Sequence, residues 1–418
     1  MMIKKPVILL VTFITILFTA ATAQAEDIKI YGFLSQSIIY SDNNPFYSDQ
    51  TGEHFDFREI GISAAWNNDE NIRIAGQLLS RKAGDLDNGD PKIDFLLLDY
   101  SYYNSSDTQA GFHVGRIKNQ YGIYNSTRDV PHARPGVFVP QSVYFENYRD
   151  ALLSIDGVNL YFKNHSKAGD FRLDFFTGNK LIENDTLEYQ LYQQNIPGNF
   201  DEVDITGLKL SLDPGFDRNL SLAISLLDIR LVLENTVTFS GLDLFTAFSN
   251  LTADPGLFPD YITNLEVDAL FKMLSIQYVW NEWVFTAEYM EIDSDINKFE
   301  VLHQQSPDIN STTVGYFFQA EWQFSEHLNL FSRYEELYYR DTDKDGTEFS
   351  QSTGGVAASQ FAKALTLGAR WFFTPDLSLT GEISINEGAG WLVGSSEIDY
   401  SSLEEDWNNL VVQLSYHF

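Results

Sequence analysis

The sequence predicts an all-β chain, a single antiparallel β-barrel of about sixteen strands that crosses a membrane. Three observations predict it. The chain opens on a segment built for export. It closes on an alternating strand that ends at Phe418. Between these ends, short turns and long loops follow one another in strict alternation.

Composition sets the outer limits. The 418 residues carry 27 Lys and Arg against 59 Asp and Glu, a formal charge of −32, and no cysteine. Without Cys there is no disulfide scaffold, thiol enzyme, or Cys-ligated zinc or iron–sulfur site. Strong acidity would repel a phosphate backbone, so no nucleic-acid partner is expected. An aromatic content of 15% argues against disorder. The seven His residues (54, 113, 132, 165, 303, 327 and 417) fall on separate segments, and no H-E-x-x-H or G-x-S-x-G run occurs. No cofactor, metal centre or catalytic residue is expected.

Residues 1–25 read as a signal peptide. Lys4 and Lys5 supply the charged start, Val7 to Ala21 the apolar run, and Ala23-Gln24-Ala25 the small-x-small cleavage site. The alternative, an uncleaved anchor, is opposed by the shortness of the run, since a spanning helix needs about 20 apolar residues. Removing Lys4 and Lys5 with this segment leaves a formal charge of −34. Residues 26–418 then form one barrel domain.

At the other end, Leu410, Val412, Leu414, Tyr416 and Phe418 alternate with Asn409, Val411, Gln413, Ser415 and His417. One face is apolar and aromatic, as a half-buried strand requires. This strand resembles the last strand of bacterial outer-membrane proteins. The resemblance implies that Tyr416 and Phe418 are read as an assembly signal by the barrel-assembly machinery.

The interior strands are expected near 27–40, 55–67, 71–81, 92–104, 109–118, 152–163, 169–180, 202–212, 219–231, 265–280, 283–293, 312–324, 328–340, 361–373, 377–387 and 406–418. In one, Val314, Tyr316, Phe318, Ala320 and Trp322 oppose Thr313, Gly315, Phe317, Gln319 and Glu321. Alternation alone fits a soluble sandwich equally well. Connection length separates the two. Seven short turns alternate with eight long loops, at 41–54, 82–91, 119–151, 181–201, 232–264, 294–311, 341–360 and 388–405. Membrane barrels have this asymmetry. Trp66, Trp280, Trp283, Trp322 and Trp371 all sit beside short turns, where an interfacial aromatic girdle belongs. Helical spacing appears only in a loop, at Leu244, Phe245, Phe248 and Leu251 after Ser240.

Barrels of sixteen to eighteen strands leave an aqueous channel. The long loop after the fifth strand follows Gly115-Arg116-Ile117-Lys118-Asn119-Gln120-Tyr121-Gly122. This Gly-x-x-Lys-x-x-Tyr-Gly run resembles the place where a porin strand passes into its third loop. The whole chain resembles the sixteen-stranded Gram-negative porins, distantly including the phosphate-selective and porin-like families. The resemblance implies an outer-membrane homotrimer in which residues 119–151 fold into the lumen as a constriction. No dense Lys and Arg ladder like that of the phosphate-selective members is present.

Around that loop Arg116, Lys118, Arg128, Arg134 and Arg149 outnumber Asp129, Glu146 and Asp150. With His132, these residues are the candidate constriction, because facing charges orient solutes and a basic excess favours anions. Equally, they could pin the loop to the wall. Arg116 and Lys118 share the strand parity of Phe112 and Val114, so a bulge near Gly115 or a rim position is needed to turn them inward. Strand parity places Arg73, Arg81, Arg172, Lys209, Arg370 and Glu382 toward the lumen, as pore lining or as structural pairs.

Acidic loops bearing Asp85, Asp87, Asp90, Asp341, Asp343 and Asp345 would meet lipopolysaccharide bridged by divalent cations. The run Asp341 to Gly346 imitates the start of an EF-hand, but Ser352 stands where the bidentate Glu should be. The expected function is passive diffusion of ions and small hydrophilic solutes. The alternatives are a channel specific for saccharides or for anions such as phosphate, with contacts from Tyr121, Tyr124, Phe138, Tyr144 and Phe145, and a surface scaffold or adhesion barrel.

Overall fold

The computed structural model describes residues 28–418 except 49, 69–70, 85, 183–199, 235–261, 302–303, 306–308 and 393–399. The proposed signal peptide and the helical spacing at 244–251 lie outside the described residues.

Sixteen long strands are hydrogen-bonded in sequence order: β1 (Ile28–Ser41), β2 (Gly52–Asn67), β3 (Ile72–Ala83), β4 (Asp87–Asn104), β5 (Thr108–Lys118), β6 (Ser154–Ser166), β7 (Gly169–Leu181) and β8 (Phe200–Pro214), then β9 (Leu220–Glu234), β10 (Ile262–Trp280), β11 (Trp283–Val301), β12 (Ile309–Ser325), β13 (Leu328–Tyr338), β14 (Phe361–Thr374), β15 (Leu377–Gly388) and β16 (Asp406–His417). Gln304–Gln305 adds a two-residue bridge against the end of β11. Every pairing is antiparallel, and β1 closes on β16 from Phe33 opposite His417 to Ser41 opposite Asn409. Closure matters because a bilayer offers no water to an unpaired strand edge.

Two expected loops are largely strand. Lys82 pairs with Asn88, so the 82–91 connection shrinks to a tight turn at Gly84, whose φ of 55° needs glycine. The 294–311 loop is mostly taken up by the long β11 and β12. Polar side chains do not end a strand where ladder partners remain, and this made strands of alternating charge look like loops.

Alternation sorts the two faces as expected. Leu34, Ile74, Leu160, Phe175, Ile224, Leu274, Phe318, Leu367 and Leu414 point outward and are exposed in the isolated barrel, where lipid would cover them. Their strand neighbours Ser35, Asn159, Asp174, Ser225, Ser275, Gln319, Thr366 and Gln413 are buried. Trp66, Trp280 and Trp371 project outward beside short turns, and Trp283 stacks on Trp322 at 5.2 Å. Trp407, at the opposite end of its strand, is buried and donates to the Gly388 carbonyl.

Among the irregularities of the ladder is a bulge between Ser37 and Ile39 opposite β2. Gln36 lies on the lipid side there, and its amide donates to the carbonyls of Phe55 and Phe57. Bulges leave ladder groups unpaired. Gln36 supplies donors where no water would.

Candidate functional site

Residues 119–151 leave β5 and run across the barrel interior. The loop begins at Lys118, the last residue of its strand, whose ammonium reaches Asp94 at 2.6 Å and also Asp129. The loop's side chains fill the barrel: Tyr121, Val137, Phe138, Tyr144 and Phe145 are buried and join one core with Ile39, Phe57, Phe271, Phe317 and Trp407. Stacking of Tyr47 on Phe138 at 4.8 Å continues this core into the first loop. The loop aromatics, including Tyr124, therefore face protein, which removes the solute contacts expected of them.

Wall side chains hold the loop by its backbone. Glu288 on β11 accepts from the Ile123 amide at 2.8 Å, Glu335 on β13 from Ser142 at 3.0 Å, and Glu382 on β15 from Val137 at 2.8 Å. Glu288 also accepts from the Tyr144 hydroxyl and from Ser275. Arg370 on β14 donates to the carbonyls of Pro131, His132 and Gly136, Arg333 on β13 to Phe138, and Lys209 on β8 to Gly122. Buried carboxylates and guanidinium groups are tolerable because each is hydrogen-bonded. Lys209, Arg370 and Glu382 thus take inward positions, as their parity requires, but the loop occupies them.

A second set of bonds ties the loop to β2 and β3. Arg134 reaches Glu59, and Arg81 reaches both Glu146 at 2.7 Å and Asp87 at 2.6 Å. Arg128 also reaches Glu146, at 2.6 Å, while Arg149 joins Asp129 and Lys180 joins Asp150. Burial alone would raise the Glu146 pKa, but Arg81 and Arg128 hold its carboxyl below the usual range. Burial, with Arg81 beside it, brings the Arg149 guanidinium down to about 10. Of the candidate constriction, Lys118, Arg128, Asp129, Arg134, Glu146 and Arg149 therefore belong to one buried ion network. His132 is the open member. It stacks on His417 with ring centroids 4.2 Å apart, and desolvation, His417, Arg370 and Arg134 push its imidazole down to about 4.

Arg116 departs from the expectation. The register of β5 with both neighbours runs unbroken through Gly115, so no bulge turns the side chain inward. Arg116 stays on the outer face with Val114 and pairs with Asp156 at 2.7 Å. It is not part of the lumen.

Part of the remaining interior is lined by β3 to β7. Arg73, Asp99, His113 and Asn159 lie directly opposite one another on successive strands, and Lys163 lies opposite Arg172. Tyr161 is the hub: its hydroxyl donates to Asp99 and contacts Ser101, while His113 and Lys163 lie 4.9 and 5.2 Å from its ring. Arg172 is held by Asp174 through two bonds of 2.6 and 2.8 Å. The Arg172 side chain is a third exposed, and Arg73 is exposed. Sequence reading singled out Arg73 and Arg172 here but missed Lys163, Asp99 and His113, although the same parity test would have found them.

The acidic run at 341–346 is used by its own backbone. Asp343 accepts from the amides of Glu348 and Phe349, and Asp345 from Thr347. No group of three or more metal-ligating side chains occurs among the described residues.

No family model matches the chain, and no curated protein matches it. Solved structures do. The anion-selective porin from Comamonas acidovorans superposes with a TM-score of 0.57 at 10% identity, covering 94% of this chain and 99% of that one. The fold is that of the sixteen-stranded outer-membrane porins. The in-vitro folded outer membrane protein OmpT of Vibrio cholerae in its trimer form gives a TM-score of 0.54 at 11% identity, over 94% and 99% of the two chains. The outer membrane channel DcaP of Acinetobacter baumannii gives 0.51 at 9% identity, over 94% and 97%. At these identities the porin fold is shared across nearly the whole length while the lumen residues are this chain's own.

Proposed function

We propose that the protein is an outer-membrane porin: a water-filled channel through which ions and small hydrophilic solutes diffuse passively. One observation carries the reading. A closed barrel with an apolar exterior keeps a polar, partly exposed inner wall along β3 to β7, while the 119–151 loop packs into the interior against the other strands and residues of the first and last loops. Residues 119–151 constrict the channel, and solutes pass between that loop and the β3–β7 wall. Buried ion pairs hold the constriction in place, since breaking one strands a charge in a dry interior.

In this reading residues 1–25 direct export and are removed, and Tyr416 and Phe418 present the terminal strand to the assembly machinery. Both aromatics face outward, and the Phe418 ring lies over Gly32, where any side chain would collide with it. The mature barrel sits among outer-membrane lipids and lipopolysaccharide as a homotrimer, the form of the structurally similar OmpT of Vibrio cholerae. An anion-preferring channel is the second reading, favoured by the structural likeness to the anion-selective porin and by the cations of the β3–β7 wall.

Conductance of the purified protein in planar bilayers tests the proposal. Stable insertion without ion current would leave a scaffold barrel instead. Liposome swelling with sugars of graded size distinguishes a general pore from a saccharide channel, and chemical cross-linking in detergent reads the trimer.

A further inference from the structure

Nearly every cation that faces the interior is already engaged. Arg81, Lys118, Arg128, Arg134, Arg149, Lys180, Arg172 and Arg333 each meet a carboxylate, while Lys209 and Arg370 meet loop carbonyls. Among the described residues Lys29, opposite Ala65 on β2, Lys163 and Arg73 remain, and only the last two lie on the β3–β7 wall. Lys163 has the Gln109 carbonyl at 3.3 Å and the Tyr161 ring as its contacts, with no ion pair among the described residues. Arg73 stands opposite Asp99 in the ladder yet forms no ion pair among the described residues.

The Lys163 position is unfavourable for stability alone. Lys163 lies directly opposite Arg172, and like charges in that relationship destabilise a sheet. Arg172 is neutralised by Asp174, which leaves the Lys163 ammonium facing the lumen. Arg172, Asp174, Asp99 and Arg73 all act electrostatically on Lys163, so the three cations and two carboxylates share one region of the lumen. In a chain of formal charge −32 with carboxylates close by, two unpaired lumen cations mark a place where the missing partner arrives from solution.

We propose that Arg73 and Lys163 form an anion-binding station on the β3–β7 wall that selects small organic carboxylates over cations. The inference rests on the channel reading above and names its solute class. Arg73 supplies a planar fork that matches a carboxylate in two parallel hydrogen bonds, and Lys163 supplies a compact charge. Tyr161 positions the station by holding Lys163 over its ring and fixing Asp99 and His113 beside it. The buried arginines of the loop, Arg128 and Arg134, are spent on Glu146 and Glu59 and do not read the solute.

Reversal potentials of the full-length protein in planar bilayers test this, under a potassium chloride gradient and with potassium acetate replacing chloride on one side. The wild type should prefer anions and pass acetate. Arg73→Gln with Lys163→Gln should lower the anion-to-cation permeability ratio several-fold for both salts, with each single variant intermediate. Arg116→Gln, on the outer face, should change nothing. Heat-modifiable migration on gels confirms that each variant barrel is folded, and Arg73→Gln alone, at an exposed position, serves if the double variant is not. Unchanged reversal potentials in conducting variants would overturn the station and leave the porin reading standing. A shift with chloride but none with acetate would overturn the carboxylate assignment. A wild type without current would overturn both readings.

Discussion

Arg134 and Glu59 are joined by two hydrogen bonds, 3.1 and 2.5 Å long, across 75 positions of sequence. Both side chains are almost fully buried, so this pair fastens the loop to β2 inside the barrel. Glu59→Gln leaves the guanidinium buried and half-satisfied. Removing one partner of such a pair costs about 3–5 kcal/mol. The variant should unfold at a lower temperature in heat-modifiability assays and show larger, noisier single-channel currents. Wild-type conductance would show that the bond does not hold the loop.

Glu146 makes the same network sensitive to acid. Its folded-state pKa lies below the ordinary value of 4.5, so the stabilisation is complete above that value. Stability is lost as pH falls through the depressed folded-state pKa, because the unfolded chain takes up the proton first. The heat-modifiability midpoint should therefore be flat near neutrality and drop below about pH 4.5, and Glu146→Gln should flatten that drop. An equal acid response in the variant would assign it to other carboxylates.

At Gly315 on β12 the loop backbone lies directly against the wall. A Cβ there would fall 1.9 Å from the Ser142 carbonyl oxygen, a backbone atom that cannot swing aside. Gly315→Val should force the loop off β12, at a cost of about 1–3 kcal/mol for overpacking. Conductance should rise while the barrel still forms, since the ladder from Val314 to Ser325 is unaffected by an inward side chain. A loss of all folded protein would show instead that loop docking is needed for closure.

Phe418 lies outward over Gly32 at the seam between β1 and β16. Phe418→Ala should lower the amount of protein reaching the outer membrane several-fold, measured by cell fractionation, with little change in the conductance of the molecules that do insert. Equal membrane levels would remove its role as an assembly signal.

The barrel was legible in the sequence because a membrane leaves little choice. A strand between lipid and lumen must alternate, and every backbone group must find a partner within a closed sheet. Strand number and direction, the tryptophan girdle and the outward set from Leu410 to Tyr416 follow from period and turn length alone. The same rule hid the ends of β3, β4, β11 and β12, where ladders outlast the apolar pattern beyond the lipid. It also failed at Lys118, where the chain leaves the wall and parity stops applying.

Parity says which side a charge faces, and only the tertiary structure says what meets it there. Arg73 and Arg81 are both inward on β3, eight residues apart in one alternating run. Arg81 is buried under the loop between Glu146 and Asp87, whereas Arg73 stands exposed to the lumen. The difference comes from a loop that begins after residue 118 and returns to β3 through Glu146. Strand periodicity carries no term for a contact made so far along the chain.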